Sequence, residues 1–164
     1  MALKIRTIEK TDVDGFYELR NCPNASANTL AMPFTSKENA AKMVSRMTEE
    51  EGSISLVAEL DGKLVGTAGL NVFKGRRRHC AALGISVHDD YQHKGIGTAL
   101  MKALLDLADN WYNLKRIELE VYTDNEVAIN MYKKFGFTIE GTLKCYAIRN
   151  GEYIDAYLMA RVKQ

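Results

Sequence analysis

Hydrophobic and polar positions change period along this chain, and each change marks an element. LKIRTIE alternates apolar and polar residues, as an opening strand does. Thr11 then precedes DVDGFYELRN, where Phe16 and Leu19 share one side of a short helix. CPNASANTLAMPFT holds neither period and carries both prolines, Pro23 and Pro33, so it reads as loop. Thr35 and Glu38 have capping-box spacing before ENAAKMVSRMTEEE, a second helix. The period then shortens to two. SISLVAEL, the Asp61-Gly62 pair and KLVGTAGLNVF predict a hairpin, KGRRR a turn, and HCAALGISV the strand beyond it.

From Gly95 the helical period returns. Ile96, Leu100, Ala103, Leu104, Leu107 and Trp111 form one apolar stripe. RIELEVY is another strand, and Thr123 with Glu126 has cap spacing before the helix NEVAINMYKKF. GFTIEGTLKCYAIR and EYIDAYLMARV, joined by Asn150-Gly151, predict a closing hairpin with a type I′ turn. The order β-α-α-β-β-β-α-β-α-β-β describes an α+β domain in which a mixed sheet of about seven strands is flanked by about four helices, not a doubly wound parallel fold. No internal repeat, low-complexity tract or linker divides residues 1–164, so they form a single domain.

Composition narrows the function classes. A chain of 164 residues with 46% hydrophobic and 26% charged residues has the make-up of a globular domain. A formal net charge of +1 gives no global attraction to nucleic acid or anionic lipid. MALKIRTIEK places charges where a signal peptide needs an apolar core, and no run is long enough to span a bilayer. Cys22, Cys80 and Cys145 are odd in number and lack metal-knuckle spacing, which points to buried or half-buried free thiols in a reducing cytoplasm. His79, His88 and His93 are not paired with other ligands at metal-site spacing, so no metal is expected.

The chemistry concentrates in QHKGIGTALM, Gln92 to Met101, between a strand and a helix. An exposed helix N-terminus presents free N–H groups and partial positive charge, a natural seat for phosphate. The spelling excludes two familiar phosphate loops. GxxxxGK[ST] is absent, and Gly95-x-Gly97 is followed by Leu100 where a dinucleotide fingerprint needs a third glycine.

What remains, Gln92-x-x-Gly95-x-Gly97, resembles motif A of the GNAT (GCN5-related N-acetyltransferase) superfamily. The resemblance continues in RIELEVYTDNEVAINMYKKFGF, where Asn125, Tyr132, Gly136 and Phe137 occupy the superfamily's places. The tail YKKFGF…EGT…KCYAIRNGEYIDAYLMAR is similar to the bacterial branch that includes L-amino-acid N-acetyltransferases. It implies the GNAT acyl-CoA N-acyltransferase fold, with a twisted, mostly antiparallel sheet. It also implies acetyl-CoA as cosubstrate, its pyrophosphate on the backbones of Gln92, His93, Lys94, Gly95, Ile96 and Gly97 and the hydroxyl of Thr98. Asn125 would contact the pantetheine arm, or cap its own helix. Ile85 and Val87 would pair with that arm as an added strand does, and the Val87 N–H would polarise the thioester carbonyl.

For catalysis the resemblance implies Tyr132 as general acid, a phenol that keeps its proton at neutral pH. HCAALGISV carries no carboxylate, so the base falls by analogy on Glu120, with His79 or a water chain as alternatives. Glu118 and Glu120 share one strand face. KGRRR, Lys74 to Arg78, is a solvated turn or a contact for an acidic substrate or the 3′-phosphate of CoA. Substrate selectivity is expected in the loop from Asn28 to Phe34 and near Tyr146 and Tyr157. The implied activity is acetyl transfer to a small primary amine, the α-amine of a free L-amino acid first, with no nucleic-acid or membrane partner. A homodimer is common in the superfamily. A protein N-terminus or lysine as acceptor, and a non-catalytic acyl-CoA-binding module, are the alternatives.

Overall fold

A computed structural model describes residues 2–164. The strands are β1 (Leu3–Thr7), β2 (Ser53–Leu60), β3 (Lys63–Val72), β4 (Cys80–Val87), β5 (Arg116–Tyr122), β6 (Thr138–Arg149) and β7 (Glu152–Val162). They form one sheet in the order β1-β2-β3-β4-β5-β7-β6. Every neighbouring pair is antiparallel except β4–β5. Both expected hairpin turns form, with Asp61 and Gly62 at φ 50 and 83 and Asn150 and Gly151 at φ 52 and 79. Two consecutive positive φ values are the type I′ signature, whose twist matches that of the strands it joins.

The helices are α1 (Val13–Arg20), α2 (Pro23–Ala27), α3 (Lys37–Glu49), α4 (Ile96–Asn110) and α5 (Glu126–Lys134). That is one more than the pattern predicts. The extra helix, α2, lies in the stretch read as loop; Pro23 opens it at the first helical position, where a missing N–H costs nothing. Two caps also differ from expectation. Ser36, not Thr35, starts α3 by accepting from Asn39 N at 3.0 Å. Asn125, not Thr123, starts α5 by accepting from Ala128 N at 3.3 Å.

The two faces of the sheet carry separate cores. On one, α4 and α5 bury Leu100, Leu104 and Ile129 against Leu70, Leu83, Leu119 and Met159. On the other, α1 and α3 bury Phe16, Leu19, Ala40 and Val44 against Val57 and Leu64. Cys22 and Cys80 are buried as expected, but Cys145 is exposed at φ 51, where β6 loses register between Leu143 and Ala147.

Arg6 locks the corner where β1 turns into α1. Its guanidinium donates to both Asp12 oxygens at 2.9 and 2.8 Å and to Glu59 Oε2 at 2.8 Å, while Asp12 also accepts the Glu9 N–H. Arg6 holds the Asp12 carboxyl below the usual carboxylate range. A depressed folded-state pKa contributes stability above the unfolded value, about 4, and loses it as pH falls through the folded value. Asp12→Ala is therefore expected to lower unfolding free energy by about 2 kcal/mol at pH 7. Urea titrations from pH 7 downward should show the gap to wild type narrowing below about pH 4.

Candidate active site

β4 and β5 pair over three positions only, Cys80↔Arg116, Ala81↔Ile117 and Ala82↔Glu118. Beyond them both strands continue, to Val87 and Tyr122, and the sheet opens between them. Which main-chain groups face the opening follows from alternation. Phe73 N donates to Cys80 O at 3.0 Å and His88 N to Val65 O at 2.8 Å, so even-numbered residues of β4 bond to β3. The odd ones, Ile85 and Val87, turn their N–H and C=O toward β5, where pairing has stopped. Gln92 Nε2 fills the Val87 carbonyl at 2.7 Å, leaving that residue's N–H as the donor at the mouth of the gap.

The loop after β4 ends at the start of α4. Gly95 is the N-cap residue at φ 80, a conformation costly for side-chain-bearing residues, and it brings no side chain to cap the helix. The first intrahelical bond is Ala99 N to Gly95 O at 3.0 Å, so the N–H groups of Ile96, Gly97 and Thr98 lack intrahelical acceptors. Fifteen aligned peptide units and the absence of acidic residues from the first turn make this end attractive to anions. Gln92, His93, Lys94 and Thr98 are exposed, and Lys94 Nζ lies 5.4 Å from the Tyr91 ring centroid. Ile96 is buried, so only its backbone is available to a ligand. Gly97 serves a different purpose from Gly95: a Cβ there would sit 3.3 Å from Met131 Sδ and 3.9 Å from Val87 Cγ2, so the missing side chain lets α4 close on α5 beside the gap.

Tyr132 and Glu120 lie on opposite faces of the sheet. Tyr132 packs in the α4–α5 core, its ring 5.8 Å from Phe137. Its hydroxyl has no protein partner, yet among the described residues the one sealed side-chain polar atom without a partner is Arg20 Nε, so the phenol oxygen reaches accessible space. Burial pushes its pKa above the ordinary phenol value. Glu120 points to the other face by strand alternation. Its companion Glu118 is neutralised by Arg116 Nε at 2.9 Å and an Arg77 nitrogen at 3.0 Å, whereas Glu120 is exposed and makes no ion pair.

An aromatic wall flanks Glu120. Tyr122 and Tyr146 meet edge to face at 6.3 Å, and the Arg149 guanidinium lies 5.2 Å over Tyr122 while pairing with Asp124. Burial raises the Tyr146 pKa, with the charge of Glu120 as a further contribution, which places those two groups together. The Tyr122 hydroxyl donates to Thr29 O at 2.8 Å and so pins the Asn28–Phe34 loop to the end of β5. Asp89, beside the phosphate-type loop, accepts the N–H groups of Asn24 and Ala25 at 2.9 and 2.8 Å and caps α2 from 64 and 65 residues away.

Three expectations do not fit this geometry. Tyr157 packs into the core on the α4–α5 side, not on the wall beside Glu120. His79 lies before the opposite end of β4 from Val87, about 25 Å away at strand rise, and cannot serve as base there. The basic turn shares that remote end, so the CoA phosphate contact drops out; Arg77 is used on Glu118 and on the Phe73 ring at 4.4 Å. Asn125 Oδ1 is committed to the α5 cap, which leaves only its Nδ2 for a ligand. Conversely, sequence reasoning missed Asp89, the Gln92 side-chain bond, Tyr122 and Arg149. A Gln five residues after Val87 was the one local signal available.

Among the described residues no helix is long and apolar enough to cross a membrane, and no group of three or more His, Cys, Asp or Glu is arranged to hold a metal. The sequence profile of the acetyltransferase (GNAT) family matches residues 15–137. The L-amino acid N-acetyltransferase AaaT of Escherichia coli (strain K12) is 42% identical over 160 residues, 97% of each chain. A solved GNAT-family acetyltransferase from Streptococcus pneumoniae superposes with TM-score 0.86 at 28% identity, covering 99% of this chain and 100% of the other. The spermidine N-acetyltransferase of Vibrio cholerae, solved with CoA and spermine, gives TM-score 0.87 at 25% identity over 98% and 95% of the two chains.

The loop geometry yields a direct test. Gly97→Glu should weaken CoA binding at least tenfold in titration calorimetry, because the side chain brings bulk and like charge to the α4 N-terminus. Gly95→Ala should weaken it less, through the cost of φ 80 alone, about 1 kcal/mol.

Proposed function

The chain belongs to the acetyltransferase (GNAT) family, and we propose that it moves the acetyl group of acetyl-CoA onto the α-amine of a free L-amino acid. Acetyl-CoA supplies a thioester, an acyl group already joined to a good leaving atom. The chain's own residues supply position, charge stabilisation and protons.

The N–H groups at the start of α4, with the Thr98 hydroxyl, hold the pyrophosphate. The donor set fits: an uncapped 15-residue helix whose free N–H groups converge beside Lys94. Ile85 and Val87 hold the amide-bearing arm in the gap, where their unpaired backbone groups take the place a neighbouring strand would fill. Gln92 occupies the Val87 carbonyl, which keeps that residue's N–H as the donor for the acyl oxygen. One such preorganised donor is worth roughly 3–4 kcal/mol in acyl transfer.

Protons are handled from both faces of the sheet. Glu120, the unpaired carboxylate on the open face, takes the proton that the acceptor ammonium must lose before its lone pair can attack. Tyr132 Oη, on the α5 side, gives a proton to the departing sulfur as the N–C bond forms and the C–S bond breaks. Burial above the ordinary phenol pKa keeps Tyr132 in its donor form.

The observation that carries the acceptor class is the hydrogen bond from Tyr122 to the Thr29 carbonyl. It ties the Asn28–Phe34 loop down at the end of β5, beside Glu120, so the acceptor face is walled by Tyr122, Tyr146 and a fixed loop. A walled face suits a small molecule better than an extended peptide. The 42% identity to an L-amino acid N-acetyltransferase supports the same class.

Thiol release from acetyl-CoA against free L-amino acids, polyamines and short peptides tests the assignment. Release with amino acids is expected; release with peptides alone would overturn the acceptor class. Tyr132→Phe is expected to lower kcat at least tenfold with little change in KM for acetyl-CoA. The sign of the pH effect follows from the raised phenol pKa: Tyr132 keeps its proton as pH rises, so kcat should hold its plateau through about pH 9. A kcat that falls between about pH 8 and 9 with wild type, but not with Tyr132→Phe, would contradict the buried-acid assignment.

A further inference from the structure

Arg20 stands apart from the other half-buried arginines. Arg6, Arg116, Arg149 and Arg161, with side chains 19–25% exposed, are each paired with at least one carboxylate. Arg20, at the C-terminus of α1, has none. Its Nε is sealed from solvent without a hydrogen-bond partner, and desolvation is the single influence on its acidity, lowering the pKa. A guanidinium cannot escape that cost by losing its proton at physiological pH. Arg20 is half-buried and its terminal nitrogens are not sealed, so a partly desolvated cation without a carboxylate partner opens onto the surface there.

The surroundings define what anion would suit it. Arg20 lines a groove of about 880 Å³ between α3 and the loop after α2. This lies within the size range of small-molecule sites. The groove carries two further cations, Lys42 and Arg46, against one carboxylate, Glu38, which already pairs with Lys42 at 3.5 Å. Beside the neutral polar Thr35, Asn39 and Ser45, the groove has an apolar part in which Leu30, Met32 and Phe34 are 65%, 76% and 97% exposed. Phe34 is also held at φ 61, costly for a bulky residue. Two penalties, strain and exposure of a whole aromatic ring, meet in a segment that lines the same groove as the unpaired Arg20.

We propose that this groove is a second ligand site, separate from the acetyl-transfer site, that binds a small monocarboxylate with an apolar body. The Arg20 guanidinium takes the carboxylate, Arg46 adds long-range attraction at the rim, and Leu30, Met32 and Phe34 cover the apolar part. The same loop is pinned to Tyr122 through Thr29, so an occupant braces the wall of the acceptor face from behind. The proposal does not depend on which amine is acetylated.

The test is an NMR titration of the full, isotope-labelled protein with 4-phenylbutyrate and with octanoate, each beside its neutral amide. Saturable shifts of the Arg20 side-chain Nε–H and of the Met32 and Phe34 amides are expected, with the carboxylates binding at least tenfold more tightly than the amides. The better of the two acids tells whether the apolar body is aromatic or aliphatic. Arg20→Gln should cost at least tenfold in affinity and Arg46→Gln about threefold, with each variant's fold checked by its amide spectrum. Equal binding of acid and amide, or shifts centred on Tyr122 and Tyr146 instead, would overturn the site on the wild-type protein alone. Unchanged affinity in a folded Arg20→Gln would do the same.

Discussion

Two adjacent strands that run parallel for three residue pairs and then part leave main-chain donors and acceptors facing open space inside a sheet. Everything around the active site answers that constraint. Backbone groups demand partners, and a sheet interrupted at its centre is stable only if something else occupies the break. At Val87 the answer is internal for one group, since the Gln92 side chain takes the carbonyl, and external for the other. The parting also sets what can stand on either side. α4 opens at the mouth of the gap with its N–H groups unpaired, and α5 presses Tyr132 toward it from one face while Glu120 projects from the other. The phenol and the carboxylate therefore stand on opposite faces of the same sheet.

That division explains why two similar carboxylates on β5 differ in their surroundings. Glu118 sits level with the last β4–β5 pair and is clamped by Arg116 and Arg77. Glu120, one step of the pleat further, lies past the pairing, where no cation reaches it. A clamped carboxylate is a poor proton acceptor because its charge is already stabilised, and the arginines hold Glu118 below the usual carboxylate range. The register of three residue pairs separates the clamped glutamate from the unpaired one.

Much of this was legible in the sequence wherever the cause was local. Asp61-Gly62 and Asn150-Gly151 name their own turn type, the stripe from Ile96 to Leu107 names its helix, and Gly95 names the turn that opens it. Tyr132 was reachable through the motif that carries it. What escaped depends on partners far along the chain. α2 is too short to show a period, and its two free N–H groups are accepted by Asp89. The face on which Tyr157 lies is set by pairing of β7 with β5, not by its neighbours. Thr35 and Thr123 were misread as caps because several hydroxyl and amide residues stood within two positions, and spacing alone does not choose among them. Arg20 gave no signal at all: an unpaired arginine looks like any other until its surroundings are known.

The long-range bonds that sequence could not show also form one mechanical path. Asp89 follows His88, whose N–H bonds to β3 at the end of β4, and it holds α2 by two backbone donors. From α2 the chain runs to Thr29, whose carbonyl is held by Tyr122 at the end of β5. The acceptor loop is thus suspended between the ends of the two strands that part. The loop's two anchors are the two lips of the gap, so the position of the loop and the width of the opening depend on the same strand ends.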